Sequence, residues 1–410
     1  MSRLYYPNLM FEEQLQGNSR MKASAQALVD DLAPCFGLIS GAENDFVLVR
    51  DEAIPTGIPD VMQSLQFLTI AEAQAAGAGF CEFIPWGWSE PAGQLASKLV
   101  PTTAVPPLDA IRTVNSRRFQ NTFDEWCRLD DESFKTAHDE PFSRVCTCLS
   151  DVNDWLKSLH KAHSIPAVPW VIKAEFSQAA RNRILGEGLE LDPRTTGWLR
   201  NQFTQKTIVS AEPWRNRVAE AGLQFTVTPD PFGTQKPTIQ FDGLTEMVTA
   251  ADGRYIGSLI HCSTQCQSIW DKAIRHGYHI ACAAGGLSYT GWLGIDCMIL
   301  EDATRSPGSN RLLRMAHDLN GRCTMGRIAL HLGKLLGPEE SGFWFQLRQT
   351  KPANTDFPLA PKLPSGVSIQ RTSPCRIGQR DPQITTWLLT GSDSEAILHV
   401  SDLCRQFSGG

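Results

Sequence analysis

GWLGIDCMILED and NRLLRMAHDLNGR, within residues 285–333, are apolar-rich segments whose pattern predicts two strands joined by a polar hairpin loop. A helix is expected to follow from near Thr324. Side chains alternate across a strand, which puts Asp318, Asn320 and Arg322 on one face and His317 and Leu319 on the other. With the hairpin paired as its length suggests, Asp296 reaches the same face. Two carboxylates, a carboxamide oxygen and a guanidinium would then converge. That is hard oxygen ligation for Mg2+ beside a fixed cation, which suits a polyphosphate.

The same patterns organise the rest of the chain. Before residue 108, AQALVDDLA reads as a helix, NDFVLVRDE as a buried strand, PDVMQSLQF as a short helix and CEFIPWGW as a second strand, an alternation typical of an α/β layer domain. Phe83, Trp86 and Trp88 are expected in its core. ASKLVPTTAVPPLDA, dense in Pro and Thr, marks a boundary. Beyond it IRTVNSRRFQNTFDEWCRLDDESF reads as one long helical tract. DVNDWLKSLHKAH is a helix with Val152, Trp155, Leu156 and Leu159 on its apolar face. SIPAVPWVIKAEF turns into a strand that reaches Lys173, which is either a solvated tip or a phosphate ligand. TTGWLRNQF is helical, TIVS is a strand, and residues from FTVTPD to GRYIGSLIH form antiparallel strands. SIWDKAIRHGYHIACAAG is an amphipathic helix, FWFQLRQT and TTWLLTG are strands, and EAILHVSDLCRQF closes the chain as a helix, with FPLAPKLPSG a proline-rich loop.

Composition narrows the class. At 410 residues, two or three domains are expected, and 42% hydrophobic with 20% charged residues describes an ordinary globular chain. Lys and Arg number 38 against 44 Asp and Glu, with no basic cluster, so nucleic acid is not an expected partner. No apolar run is long enough to span a bilayer, and the N-terminal MSRLYYPNLMFEEQLQG lacks the apolar stretch of a signal peptide. A cytoplasmic protein without a membrane partner is expected. The twelve cysteines are scattered, which favours free thiols. Cys146-x-Cys148 and His261-Cys262-x-x-x-Cys266 each lack a second half with zinc spacing. Gly77-Ala78-Gly79 lacks the third glycine and preceding strand of a dinucleotide fingerprint.

Four separated motifs, in order, resemble the ATP-grasp superfamily of carboxylate-amine ligases. They are WVIK ending at Lys173, IVSAEPW with Glu220 beyond it, G-x-x-G-I-D ending at Asp296, and DLNGRCTMG from Asp318. The resemblance covers about residues 111–340. It implies an ATP-grasp core over 109–340, an N-terminal α/β domain over 1–108 that precedes it, and a C-terminal extension over 341–410. It further implies ATP and Mg2+ as cofactors, with Lys173 and either Arg117 or Arg118 on the phosphates. The backbone of Glu212, Pro213 and Trp214 would meet the adenine edge, and Glu220 the ribose hydroxyls. Asp296, Asp318 and Asn320 resemble the metal ligands, and Arg322 the cation beside the γ-phosphate or the acceptor carboxylate. Arg322 and Lys173 are thereby the catalytic candidates.

The chain departs from the family in two places. Asp318 stands where the family usually has Glu, one methylene longer. SQAARNR has Ala179 and Ala180 where a phosphate-covering loop is normally glycine-rich, with Arg181 and Arg183 as compensating charge. Bland readings stand beside the functional ones. Asn320-Gly321 is a turn dipeptide, Trp214 can be read as core packing, and Cys323 has no His–Asp partners in any motif. The expected function is ATP- and Mg2+-dependent ligation, a carboxylate activated as acyl phosphate and joined to an amine or thiol. The alternatives are an ATP-binding partner or sensor with weakened catalysis, and a small-molecule kinase on the same fold. The substrates are small molecules whose identity the sequence does not name. A homodimer is compatible with it.

Overall fold

The computed structural model describes residues 2–17, 21–40, 44–77, 79–129, 134–136, 142–163, 167–177, 181–229, 236–262, 266–301, 311–349 and 363–408. The chain forms two compact units. The first comprises Met1–Leu108, Gly243–Thr264 and Arg322–Gly410, and the second Asp109–Asp242 and Gln265–Gly321. The strand Thr238–Thr249 carries the chain from the second unit into the first.

In the first unit a parallel sheet is ordered Gln66–Leu68, Phe46–Leu48, Ser2–Tyr6, Phe80–Pro85. Leu4, Leu48, Phe83 and Leu99 are buried together on it, and Phe83 and Trp86 lie in the core as their sequence context predicts. PDVMQSLQF is not one helix. Asp60–Met62 forms a single 3-10 turn, and Gln66–Leu68 is a strand because pairing with Phe46–Leu48 completes the parallel sheet, a tertiary gain that overrides local helix preference. The same unit contains antiparallel strands ordered Ser368–Arg371, Ile384–Gly391, Ser341–Arg348, Tyr255–Ile260. The helix Ser394–Ser408 covers their buried Phe343, Phe345 and Leu389 with Ile397 and Val400. The helix Met325–Gly333 starts where expected, with Thr324 accepting from the Arg327 backbone N–H. Residues 357–362 of the proline-rich loop lie outside the described residues.

The second unit holds two antiparallel sheets. The smaller is ordered Arg183–Glu187, Pro169–Ala174, Val209–Pro213, Arg144–Cys146. The helices Leu149–Ala162 and Pro193–Thr204 cover one face of it. Val152, Trp155, Leu156 and Leu159 form the buried stripe their spacing predicts, packed on Trp170, Ile172 and Val209. The larger sheet runs Arg217–Thr228, Gly291–Glu301, Arg311–Asn320, Glu125–Arg128, Phe134–Thr136, with the helix Gln267–Gly286 against it. The long helix predicted from IRTVNSRRF onward is broken. Leu108–Val114 ends, Ser116 caps a second short helix Arg117–Asn121 through the Arg118 N–H, and Glu125–Arg128 leaves as a strand to pair with Leu312–Arg314. No helix among the described residues is long and apolar enough to cross a membrane.

Candidate functional site

The predicted site residues of the second unit gather where its two sheets exchange ion pairs. On the smaller sheet, Lys173 pairs with Ser210 in register, and Glu212 sits two residues along the same face. Lys173 Nζ therefore reaches Glu212 Oε2 at 2.9 Å, and Ser210 Oγ donates to Glu212 Oε1 at 3.0 Å. Lys173 is 7% exposed and Glu212 1%, which removes the solvated-tip reading of the lysine. Burial lowers the Lys173 pKa, Glu212 opposes that, and the Arg117 and Arg314 charges add to the fall. Burial acts to raise the Glu212 carboxyl, but Lys173, Arg314 and Arg117 outweigh it and hold it well below the ordinary range.

Arg117 and Arg118 part company. Arg118 is exposed, whereas Arg117 is buried and grips Asp318 with both arms, Nη1 to Oδ1 at 2.7 Å and Nη2 to Oδ2 at 3.1 Å. Arg117 Nη2 also donates to Ser177 Oγ at 2.9 Å, the first residue of the SQAARNR loop. Residues 178–180 of that loop, with Ala179 and Ala180, lie outside the described residues. Gln120 braces the arrangement by accepting from Arg117 Nη1 and donating to the His317 carbonyl at 2.6 Å. Burial raises the Asp318 carboxyl, yet Arg117 and Lys173 reverse this and the net shift is down.

The hairpin pairs as predicted: Asp296 is the cross-strand partner of Asp318, and Gly294 that of Asn320. Asn320 Nδ2 donates to Asp296 Oδ2 at 3.2 Å. Beyond that pair the register is irregular, because the single residue Cys297 between Asp296 and Met298 faces three, Met315 to His317, between Arg314 and Asp318. His317 lies in this irregular segment, its Nδ1 against the Asp296 carbonyl at 3.1 Å, and burial with the Lys173 and Arg314 charges lowers it to about 3. It is a neutral ring. Residues 302–310, the hairpin loop, lie outside the described residues.

Arg322 does not continue the alternating face. The strand ends at Asn320, since Asn115 takes over there, its Oδ1 accepting from the Gly321 N–H at 2.8 Å, and Arg322 falls outside the ladder. Arg322 belongs to the first unit, where its Nε donates to Glu12 Oε1 at 2.5 Å and its guanidinium carbon lies 5.9 Å from the Trp86 ring centre. Cys323 beside it is buried and pushed up to about 12 by burial, so it is a thiol rather than a nucleophile.

Pro213 is buried in the strand and Trp214 half-buried after it, with its N–H donating to the Pro169 carbonyl at 2.9 Å. Arg217 and Arg183 stand over the Trp214 ring at 4.7 and 5.4 Å. Arg217 also holds Glu220, Nη1 to Oε1 at 3.2 Å, and Glu220 is buried.

Sequence reasoning missed Arg314, Asp124, Ser143 and Ser177. Arg314 Nη1 donates to Glu212 Oε2 at 2.9 Å, while its Nε donates to Asp124 Oδ1 at 2.7 Å. The available signal was Arg314, an arginine in the middle of the apolar strand segment RLLRMA that opens at Arg311, on a strand already assigned to the site.

Among the described residues no group of three or more His, Cys, Asp or Glu side chains is placed to hold a metal. Asp296, Asp318 and Asn320 instead offer two carboxylates and a carboxamide. These are hard oxygen donors on neighbouring strand positions, a donor set that would suit a divalent ion. Arg117 already occupies one acceptor site on each Asp318 oxygen, so an ion there shares the carboxylate with the guanidinium or displaces it.

Neither a protein-family model nor a curated protein sequence matches the chain. Solved structures match its fold over nearly the whole length. N5-carboxyaminoimidazole synthetase from Staphylococcus aureus, complexed with ADP, superposes with a TM-score of 0.53 at 10% identity, over 98% of this chain and 96% of that one. Biotin carboxylase from Campylobacter jejuni, in a β-γ-ATP complex, gives 0.52 at 11% identity over 98% and 94%. N5-carboxyaminoimidazole ribonucleotide synthetase from Thermus thermophilus gives 0.50 at 15% identity over 100% and 99%. The fold of this chain is the ATP-grasp fold.

Proposed function

We propose that the chain is an ATP- and Mg2+-dependent ligase that activates a small-molecule carboxylate as an acyl phosphate and joins it to an amine or thiol. The observation that carries this reading is the meeting, in one unit, of Lys173, Arg117 and Asp318 from three distant segments, each influencing the charge of the others. The fold matched by ADP- and ATP-bound synthetase and carboxylase structures supports it.

Lys173 and Arg117 are assigned to the phosphates, while Arg118 is exposed and is set aside. Phosphoryl transfer to a carboxylate moves negative charge between oxygens that repel one another, so its catalysis is mainly positioning and neutralisation. The strand end Glu212, Pro213 and Trp214 is assigned to the adenine edge and Glu220 to the ribose. Asp296, Asp318 and Asn320 are assigned to Mg2+, which when bound would offset the negative charge of the phosphates. Arg322, fixed by Glu12, is assigned to the carboxylate substrate. By this reading residues 109–340 carry the nucleotide chemistry, 1–108 the substrate side, and 341–410 an extension.

Incubation with ATP, Mg2+ and a pool of carboxylates and amino acids is expected to release ADP and phosphate. Asp318→Ala and Asn320→Ala are each expected to abolish that release. Full activity in both variants would refute the site. A second reading, an ATP-binding partner without turnover, is favoured by the two-armed hold of Arg117 on Asp318. Nucleotide binding without ADP release on any substrate would select it.

A further inference from the structure

Glu212 Oε2 receives two cations, Lys173 Nζ and Arg314 Nη1, each at 2.9 Å. Lys173 comes from the smaller sheet of the second unit and Arg314 from the larger. The far edge of Arg314 is fixed as well. Its Nε donates to Asp124 Oδ1 at 2.7 Å, and its Nη2 donates to Asp124 Oδ2 and to Ser143 Oγ at 3.0 Å. Ser143 closes the ring by donating to Asp124 Oδ2 at 2.6 Å. The Trp126 ring centre lies 5.0 Å from the guanidinium carbon. Arg314, Asp124 and Ser143 are all buried.

Burying such a network costs in desolvation about what it returns in attraction, so stability alone is a weak explanation for it. Geometry offers a better one. A planar fork can hold Asp124 on one edge and Glu212 on another, which a lysine cannot do. A lysine ammonium has three donors, and a carboxylate left to itself can turn both oxygens onto them. We propose that Arg314 is a positioning residue for the nucleotide: by sharing Glu212 with Lys173 and anchoring that carboxylate to Asp124, it leaves Lys173 with donors for a polyphosphate. Without Arg314, Glu212 closes onto Lys173, and an incoming phosphate has to compete with a full carboxylate charge.

This inference rests on the assignment of Lys173 to the phosphates. It is tested by calorimetric titration of ADP into the full chain and into Arg314→Met, Arg314→Lys, Lys173→Met and the Arg314→Met/Lys173→Met double variant. Arg314→Met is expected to weaken ADP binding about ten- to a hundredfold, the scale of one charge-assisted hydrogen bond. Arg314→Lys, which keeps a cation beside Glu212, is expected to recover part of it. In the Lys173→Met background, Arg314→Met is expected to change the affinity by less than about twofold, because distinct effects add and shared ones do not. A merely structural arginine would cost the same in both backgrounds, and that result overturns the inference. If thermal melts show Arg314→Met unfolded, Asp124→Asn, which loosens the fork but keeps its charge, replaces it in the same comparison. Absence of ADP binding by the unaltered chain removes the nucleotide assignment and the inference with it. Binding by the unaltered chain with equal loss in both backgrounds removes the inference alone.

Discussion

At the residue scale the site is a set of buried charges that neutralise one another. Glu212 shows what that implies. Its folded pKa is depressed below the ordinary 4.5, so its ion pairs contribute stability that is present above that pH and is lost as pH falls. Glu212→Gln leaves Lys173 and Arg314 without their common counter-charge and is expected to cost about 3–5 kcal/mol near neutrality, measured by denaturant unfolding. Below pH 4.5 the gap between variant and unaltered chain is expected to narrow; a gap that stays constant to pH 3 would mean that the carboxylate is not the source. Asp296, Asp318 and Asn320 were legible because a single hairpin carries them and strand alternation fixes their face. Arg314 was not, because its partners Asp124 and Glu212 lie 190 and 102 residues away and no local pattern links them. Arg322 misled for a physical reason: alternation holds only while the ladder lasts, and Asn115 takes the Gly321 N–H one residue before it.

At the element scale, strongly periodic segments behave as their sequence says. The Leu149–Ala162 helix buries Val152, Trp155, Leu156 and Leu159 against the very sheet that presents Lys173 and Glu212. Trp155 is fully buried, and Trp155→Ala is expected to cost about 3–5 kcal/mol in unfolding experiments and to weaken nucleotide binding by loosening that sheet. A loss below about 1 kcal/mol would show that the helix is not what holds the sheet. Short segments were less legible. PDVMQSLQF and the tract after Ile111 carry helical composition, yet Gln66–Leu68 and Glu125–Arg128 become strands because each completes an existing sheet. Their partners are distant in sequence, so no local window contains the deciding interaction.

At the scale of the whole molecule, the chain visits each compact unit more than once. The ATP-grasp architecture was legible from four short motifs in order, whereas the interleaving was not, since it depends on strands such as Tyr255–Ile260 pairing with Ser341–Arg348 far along the chain. By the proposed function, the second unit holds a nucleotide and its metal. A crystal structure grown with ADP and Mg2+ tests it most directly. The diphosphate is expected at Lys173 and Arg117 and the ion among Asp296, Asp318 and Asn320, with the Arg117 guanidinium turned from Asp318 toward phosphate. A nucleotide bound elsewhere, or a site that stays empty at saturating ADP with the Arg117–Asp318 pair intact, would contradict it.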